Sequence, residues 1–202
     1  MKVIHDKYLI KNIISETENA VILEAEDKAN KQKVALKRLK LTNDKIFYKL
    51  FKNEVNNLKK IINQNSVEYY DSFEEDCYLY IVMELCDENL LEFRKKKPKG
   101  VLSIEEIKNI FLQLNKIFKV FNKIGLIHRD IKPQNILIKY LDTSHNDYIV
   151  KVADYGLSKI FNKKIITITK MLGTPGFIAP EFYSEGKFDN SCDLFSIGIL
   201  LH

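Results

Sequence analysis

Eight consecutive residues, His128-Arg129-Asp130-Ile131-Lys132-Pro133-Gln134-Asn135, constrain this chain more than any other stretch. They put a carboxylate, an ammonium and a carboxamide into one short turn between two apolar runs. Upstream, Ser103-Ile104-Glu105-Glu106 reads as a capping-box start. Ile107, Ile110, Phe111, Leu114, Ile117, Phe118 and Phe121 then continue a wide apolar helix face until Gly125 stops it. Downstream, Ile136-Leu137-Ile138 and Ile149-Val150-Lys151-Val152-Ala153 read as two short strands joined by a polar surface loop at 140–147. The helix therefore delivers the chain directly into the polar octet. Asp130 can accept a hydroxyl proton, Lys132 can neutralise a transferring phosphoryl group, and Asn135 can offer a neutral oxygen to a magnesium ion, with Arg129 anchoring the turn. The competing reading is a polar surface turn, which an Asp near a Lys usually is.

The first 85 residues have a different grammar. Tyr8-Leu9-Ile10, Val21-Ile22-Leu23 and Lys33-Val34-Ala35-Leu36-Lys37-Arg38-Leu39 are short runs of branched residues between polar turns, the pattern of consecutive antiparallel strands. In the third, Lys37 points the same way as small Ala35, leaving room for a flat ring with phosphates beyond it. A helix follows, with Phe47, Leu50, Phe51, Val55, Leu58 and Ile62 on one stripe and Glu54 beside it. The stretches 67–73 and 78–85 supply two further strands, for a five-stranded sheet.

Bulk properties exclude several classes. No apolar run approaches a membrane span, and the start meets Asp6 and Lys7 too early for a secretory signal, so a cytoplasmic protein is expected. Cys77, Cys86 and Cys192 are too far apart in sequence to form a disulfide framework or a metal-ligand pattern, and read as packed thiols. The net charge of +5 is mild, and the run Arg94-Lys95-Lys96-Lys97-Pro98-Lys99 reads as a solvated connection rather than a nucleic-acid site.

The octet resembles the catalytic loop of the eukaryotic protein kinases, H-R-D-L-x-x-x-N, with Ile131 for Leu. Val34-Ala35-Leu36-Lys37 resembles their V-A-I-K strand, and Asp154-Tyr155-Gly156 resembles D-F-G with Tyr for Phe. Gly173-Thr174-Pro175-Gly176-Phe177-Ile178-Ala179-Pro180-Glu181 resembles G-T-P-x-x-x-A-P-E. The order Lys37, Glu54, Asp130, Asn135, Asp154, Glu181 is the kinase order throughout. The resemblance implies an α+β, two-lobed fold. Residues 1–85 would form a small five-stranded antiparallel lobe with one helix, and 86–202 a mainly helical lobe incomplete after its central helix.

The resemblance also implies a serine/threonine protein kinase using ATP and Mg²⁺, with serine- or threonine-bearing proteins as substrates. Lys132 and the Gly173-Thr174-Pro175 run are of the serine/threonine type. Asp130 would be the base, Lys132 would offset charge, and Thr174 would contact both and help place the acceptor. Lys37, held by Glu54, would contact the ATP phosphates, and Asn135 and Asp154 would hold the metal, with Gly156 allowing a sharp turn. Ile14, Ile22, Ala35, Met83, Glu84, Cys86 and Leu137 complete the implied nucleotide set, Met83 as gatekeeper and 84–86 as hinge. A loop phosphate that pairs with Arg129 would sit on Thr169 or Thr167, since the usual position three residues before Gly173 is Lys170.

Three departures bear on activity. Ser15, Thr17 and Ala20 stand where the family has three loop glycines, and Glu16 and Glu18 add negative charge there. A Cβ forced into a left-handed position would cost about 1–2 kcal/mol. The final run 191–202 resembles the family's D-x-W-S-x-G helix with Phe195 for Trp and is apolar nearly all round, so a partner or a further C-terminal segment is expected to cover it. The arginine that pairs with Glu181 in the family would also lie beyond it. The alternative function is therefore a weak or inactive kinase-like binding module.

Overall fold

In the computed structural model, which describes residues 2–18, 20–41, 45–157, 159–160, 166–167, 173–185, 187–189 and 191–202, the branched runs near the N-terminus form strands as their period requires. They are β1 (Val3–Ile4), β2 (Tyr8–Glu16), β3 (Ala20–Asp27) and β4 (Lys33–Lys40), followed by helix α1 (Lys45–Lys60), β5 (Tyr69–Glu75) and β6 (Tyr78–Glu84). The chain divides into two compact units, Met1–Lys60 with Val67–Cys86, and Ile61–Ser66 with Asp87–His202. The segment Ile61–Ser66 thus packs with the second unit although it lies within the sequence range 1–85.

The first unit is an antiparallel sheet in the order β1-β2-β3-β4-β6-β5. It has six strands, not five, because His5 and Asp6, at φ of 55° and 50°, turn Val3 and Ile4 back to pair with Leu9 and Tyr8. Asp76 and Cys77, both at positive φ, make the turn between β5 and β6, the geometry that matches the twist of a two-residue hairpin. Alternation along β3 buries Val21, Leu23 and Ala25, which pack with Ile4, Tyr8, Val34, Leu36, Tyr80 and Val82. Helix α1 buries Phe51, Val55 and Leu58. The stripe ends one residue earlier than its spacing predicts: Ile61 is buried and Ile62 is 92% exposed, because the helix stops at Lys60 and the next residues leave its period.

The second unit begins with β7 (Glu88–Asn89) and α2 (Leu90–Lys95), then the long α3 (Ile104–Ile124), β8 (Leu126–Ile127), β9 (Ile136–Tyr140) and β10 (Tyr148–Val152). It continues with β11 (Lys159–Ile160), β12 (Ile166–Thr167), α4 (Pro180–Glu185), β13 (Lys187–Phe188) and α5 (Ser191–Leu201). Helix α3 starts in the expected capping box: Ser103 Oγ accepts the Glu106 N–H at 3.2 Å, and Glu106 Oε2 accepts the Ser103 N–H at 2.8 Å. It ends at Gly125, left-handed at φ 68°. Between these stops Ile110, Leu114, Ile117, Phe118 and Phe121 are buried, and Ile136, Ile138, Val150 and Val152 of the antiparallel β9–β10 pair are wholly so. The polar connection 141–147 is exposed and folded around Asp142, whose carboxylate caps the amides of Asn146 and Asp147.

On α5, Leu194, Phe195 and Ile199 are exposed while Cys192 and Ile197 are buried. Cys86 is half-buried and Cys77 exposed. Among the described residues, no helix is long and apolar enough to cross a membrane.

Candidate active site

In the second unit, α3 ends, β8 runs into the wall of the core, and the octet His128–Asn135 follows with its backbone fixed from below. Asp193 of α5 does the fixing. It is 2% exposed, and its two oxygens accept the N–H groups of His128 (2.7 Å) and Arg129 (2.9 Å). These bonds hold Arg129 at φ 69°, a left-handed value that a non-glycine residue rarely adopts without such support. Burial pushes the Asp193 carboxyl up, against the opposing pull of His128 and of the two amides. Asp193 opens the run that resembles D-x-W-S-x-G, but the sequence assigned it no role. Its signal was a single acid inside an otherwise apolar helix.

His128 is wholly buried, and burial holds its pKa below the usual imidazole range despite the nearby carboxylates of Asp193, Asp154 and Asp130. Its Nε2 lies 3.1 Å from the Ala153 carbonyl, which can only accept, so Nε2 carries the proton. Nδ1 is then the acceptor of the Asp130 N–H at 3.4 Å. A neutral imidazole of one defined tautomer thereby ties the octet to the end of β10.

The polar side chains of the octet converge. Thr174 Oγ1 donates to Asp130 Oδ1 at 2.7 Å. Lys132 Nζ donates to Thr174 Oγ1 at 2.9 Å and lies 2.8 Å from Asp130 Oδ2. Asn135 Nδ2 donates to both the Asp130 carbonyl (2.8 Å) and Oδ2 (3.0 Å). Both Asn135 amide hydrogens are thus spent on Asp130, and Oδ1 takes part in no hydrogen bond among the described residues. The Ala153 N–H donates to the Asn135 carbonyl at 2.9 Å, so Asp154 begins immediately beside Asn135. Two oxygen-bearing side chains, one amide and one carboxylate, suit a hard cation such as Mg²⁺.

The left-handed residue of the 154–156 turn is Asp154 (φ 65°) rather than Gly156, which continues into a short 3₁₀ turn. Gly173 is a required glycine: at φ 115°, a Cβ there would lie 2.8 Å from the Arg129 carbonyl and 3.2 Å from Ile178. Leu137 sits half-buried in β9, paired with Lys151 and Asn89.

The first unit assembles the other sequence-derived residues. Lys37 Nζ lies 2.8 Å from both Glu54 oxygens, with the side chains only 10% and 3% exposed. Sheet register sets Ile22 opposite Lys37 and Ala35 opposite Met83. Glu84 and Cys86 are half-buried. Ile14 stands apart: it is the extra residue of a β2 bulge and is 51% exposed.

The glycine-free turn is closed by Thr17. Its N–H donates to the Ala20 carbonyl at 2.9 Å, its hydroxyl donates to the same oxygen at 3.0 Å, and that hydroxyl accepts the Ala20 N–H at 3.1 Å. Ser15, Thr17 and Ala20 all have negative φ, so the left-handed strain expected from their side chains is not present. Thr169 and Lys170 lie outside the described residues; of Thr167 the structure describes the backbone, in β12 paired with Lys187.

Comparison with known proteins gives one consistent result. The family model described as "Protein kinase domain" matches residues 8–202. The chain is 31% identical over 198 residues to serine/threonine-protein kinase Nek5 of Mus musculus, covering 98% of this chain and 30% of that protein. It is 32% identical over 217 residues to the DNA damage response protein kinase DUN1 of Saccharomyces cerevisiae, covering 98% and 42%. To a probable serine/threonine-protein kinase of Clostridium acetobutylicum it is 33% identical over 203 residues, covering 99% and 30%. The chain therefore spans less than half the length of each of these relatives.

Proposed function

Since this chain belongs to the protein kinase family, we propose that it transfers the γ-phosphoryl group of ATP to serine or threonine hydroxyls of protein substrates. The observation that carries this reading is the Asp130 carboxylate, held at once by Thr174, Lys132 and Asn135. Asp130 accepts the acceptor hydroxyl's proton on its remaining lone pairs as the oxygen attacks. Lys132, 2.8 Å away, offsets the charge that builds on the phosphoryl oxygens, and Thr174 fixes the carboxylate plane. Asn135 Oδ1 and the Asp154 carboxylate are the groups that would hold Mg²⁺, which would supply positive charge to offset that of the nucleotide phosphates. Lys37, oriented by Glu54, contacts the phosphates from the first unit's sheet, with Ala35, Ile22 and Met83 offering an apolar floor for adenine. Serine/threonine preference is supported by Lys132 and Thr174 and by the similarity to serine/threonine-protein kinases.

A second reading, a kinase-like binding module without transfer, is favoured by one observation: the Thr17 turn closes on itself and carries exposed Glu16 and Glu18, where anionic phosphates would otherwise meet free amides. The two readings separate in a single assay with Mg²⁺, γ-labelled ATP and a generic protein acceptor. Label on acceptor serine or threonine that disappears in Asp130→Asn is the expected outcome. Nucleotide binding with no transfer by the folded protein would leave the module.

A further inference from the structure

Tyr155 is the residue of the Asp154 turn whose chemistry the proposed function has not used. It is wholly buried, its ring edge-on to Phe121 with centroids 5.9 Å apart and tilted against His128 at 5.2 Å. A phenylalanine would fill that space equally well. The hydroxyl does something else: it donates to the Val152 carbonyl at 3.3 Å and lies 2.8 Å from Ser66 Oγ, itself 2% exposed. Either hydroxyl can be the donor in the shorter bond. Burial holds the phenol far above its ordinary range, so it stays protonated at any working pH.

Ser66 is a fixed post. Its N–H donates to Asn63 O at 3.0 Å, and Ser66 forms a parallel bridge to Val152. The preceding Asn65 accepts the Val152 N–H at 2.8 Å and donates from its amide to Val150 O at 2.8 Å and Gln113 Oε1 at 3.0 Å. The stretch 64–66 is therefore stitched along β10 up to the residue that precedes Ala153 and Asp154. Asp154 itself sits at φ 65°, a left-handed conformation that a non-glycine residue keeps only where its surroundings favour it. The Tyr155 side chain follows Asp154 directly, and its hydroxyl reaches back over the turn to that post.

We infer that the buried Ser66–Tyr155 hydroxyl pair positions the Asp154 carboxylate, making Tyr155 and Ser66 positioning residues for metal binding. The metal-holding role of Asp154 rests on the proposed function; the anchoring of the turn does not. Loss of one buried neutral hydrogen bond changes a local equilibrium by about five- to tenfold. The ring-preserving Tyr155→Phe removes the hydroxyl that meets Ser66 Oγ, and Ser66→Ala removes the same bond from the other side.

Two measurements test this. Amide hydrogen exchange at Asp154–Gly156 is expected to speed up about fivefold in Tyr155→Phe and in Ser66→Ala, with α3 unchanged. The double variant is expected to add little to either single change, because the pair is already broken. In transfer assays, the Mg²⁺ concentration for half-maximal rate is expected to rise by a similar factor while KM for the protein acceptor stays put. Unchanged exchange at Asp154–Gly156 in both single variants would overturn the inference. So would faster exchange spread evenly over the second unit, which would make the pair ordinary core, or an unmoved Mg²⁺ requirement in an active enzyme. Local exchange that responds in a protein showing no transfer would uphold the anchor and refute the kinase reading separately.

Discussion

The ionisable residues here are held by what surrounds them, and the surroundings differ in kind. Lys37 and Glu54 form a buried, two-pronged ion pair, whose desolvation is offset only while both partners are present. His128 is held neutral by burial, which gives a pH signature. Its folded pKa lies below the unfolded value of about 6.5, so below that pH the unfolded chain takes up a proton that the folded chain refuses. Stability contributed by neutral His128 is therefore lost as pH falls from about 6.5, at up to ~1.4 kcal/mol per pH unit. Asp193 works the other way: its raised pKa favours the folded state on acidification in a window starting above the ordinary 3.8. Urea unfolding at pH 7 and pH 5.5 isolates the histidine. The loss between the two is expected to be about 1 kcal/mol smaller in His128→Gln than in the parent, and an equal loss in both would contradict this assignment.

At the scale of elements, α3 sets where the polar octet begins, and its ends are defined by local chemistry. The reciprocal bonds of Ser103 and Glu106 start it, with Lys97 Nζ 2.6 Å from Glu106 adding to the cap, and left-handed Gly125 stops it. Ser103→Ala removes the acceptor for the Glu106 amide and is expected to cost about 1 kcal/mol in chemical denaturation, without changing KM for ATP. A change in KM would mean that the cap reaches the octet through the helix. The antiparallel hairpin of β5 and β6 turns on two non-glycine residues at positive φ, and the β2–β3 turn is tied by one threonine instead of glycines. Polar side chains bonding to nearby backbone do there what backbone freedom does elsewhere.

For the whole molecule, a ligand that binds only the folded state raises its stability by mass action. Mg²⁺ with ATP at about a hundred times Kd is expected to add ~2.7 kcal/mol, read as an upward Tm shift, and EDTA is expected to remove most of it. A shift that EDTA leaves intact would argue against Asn135 and Asp154 as metal holders. Much of this protein was legible in the sequence. The octet, the capping box, the strand lysine and the helix glutamate are local patterns, fixed by residue type and spacing within a few positions, and the chain's membership of the protein kinase family follows from their order. The sixth strand, the exposure of Ile62, the absence of strain at Ser15, Thr17 and Ala20, and the left-handed Asp154 were not legible. Each depends on backbone angles that neighbours distant in sequence select. Asp193 under His128 and Ser66 beneath Tyr155 are the clearest cases, joined across 65 and 89 positions. The sequence by itself determined which chemical groups this chain carries and in what order. Only the tertiary structure decided which buried polar atoms hold them still, because a buried hydrogen bond takes its partner from whatever the folded chain brings within reach.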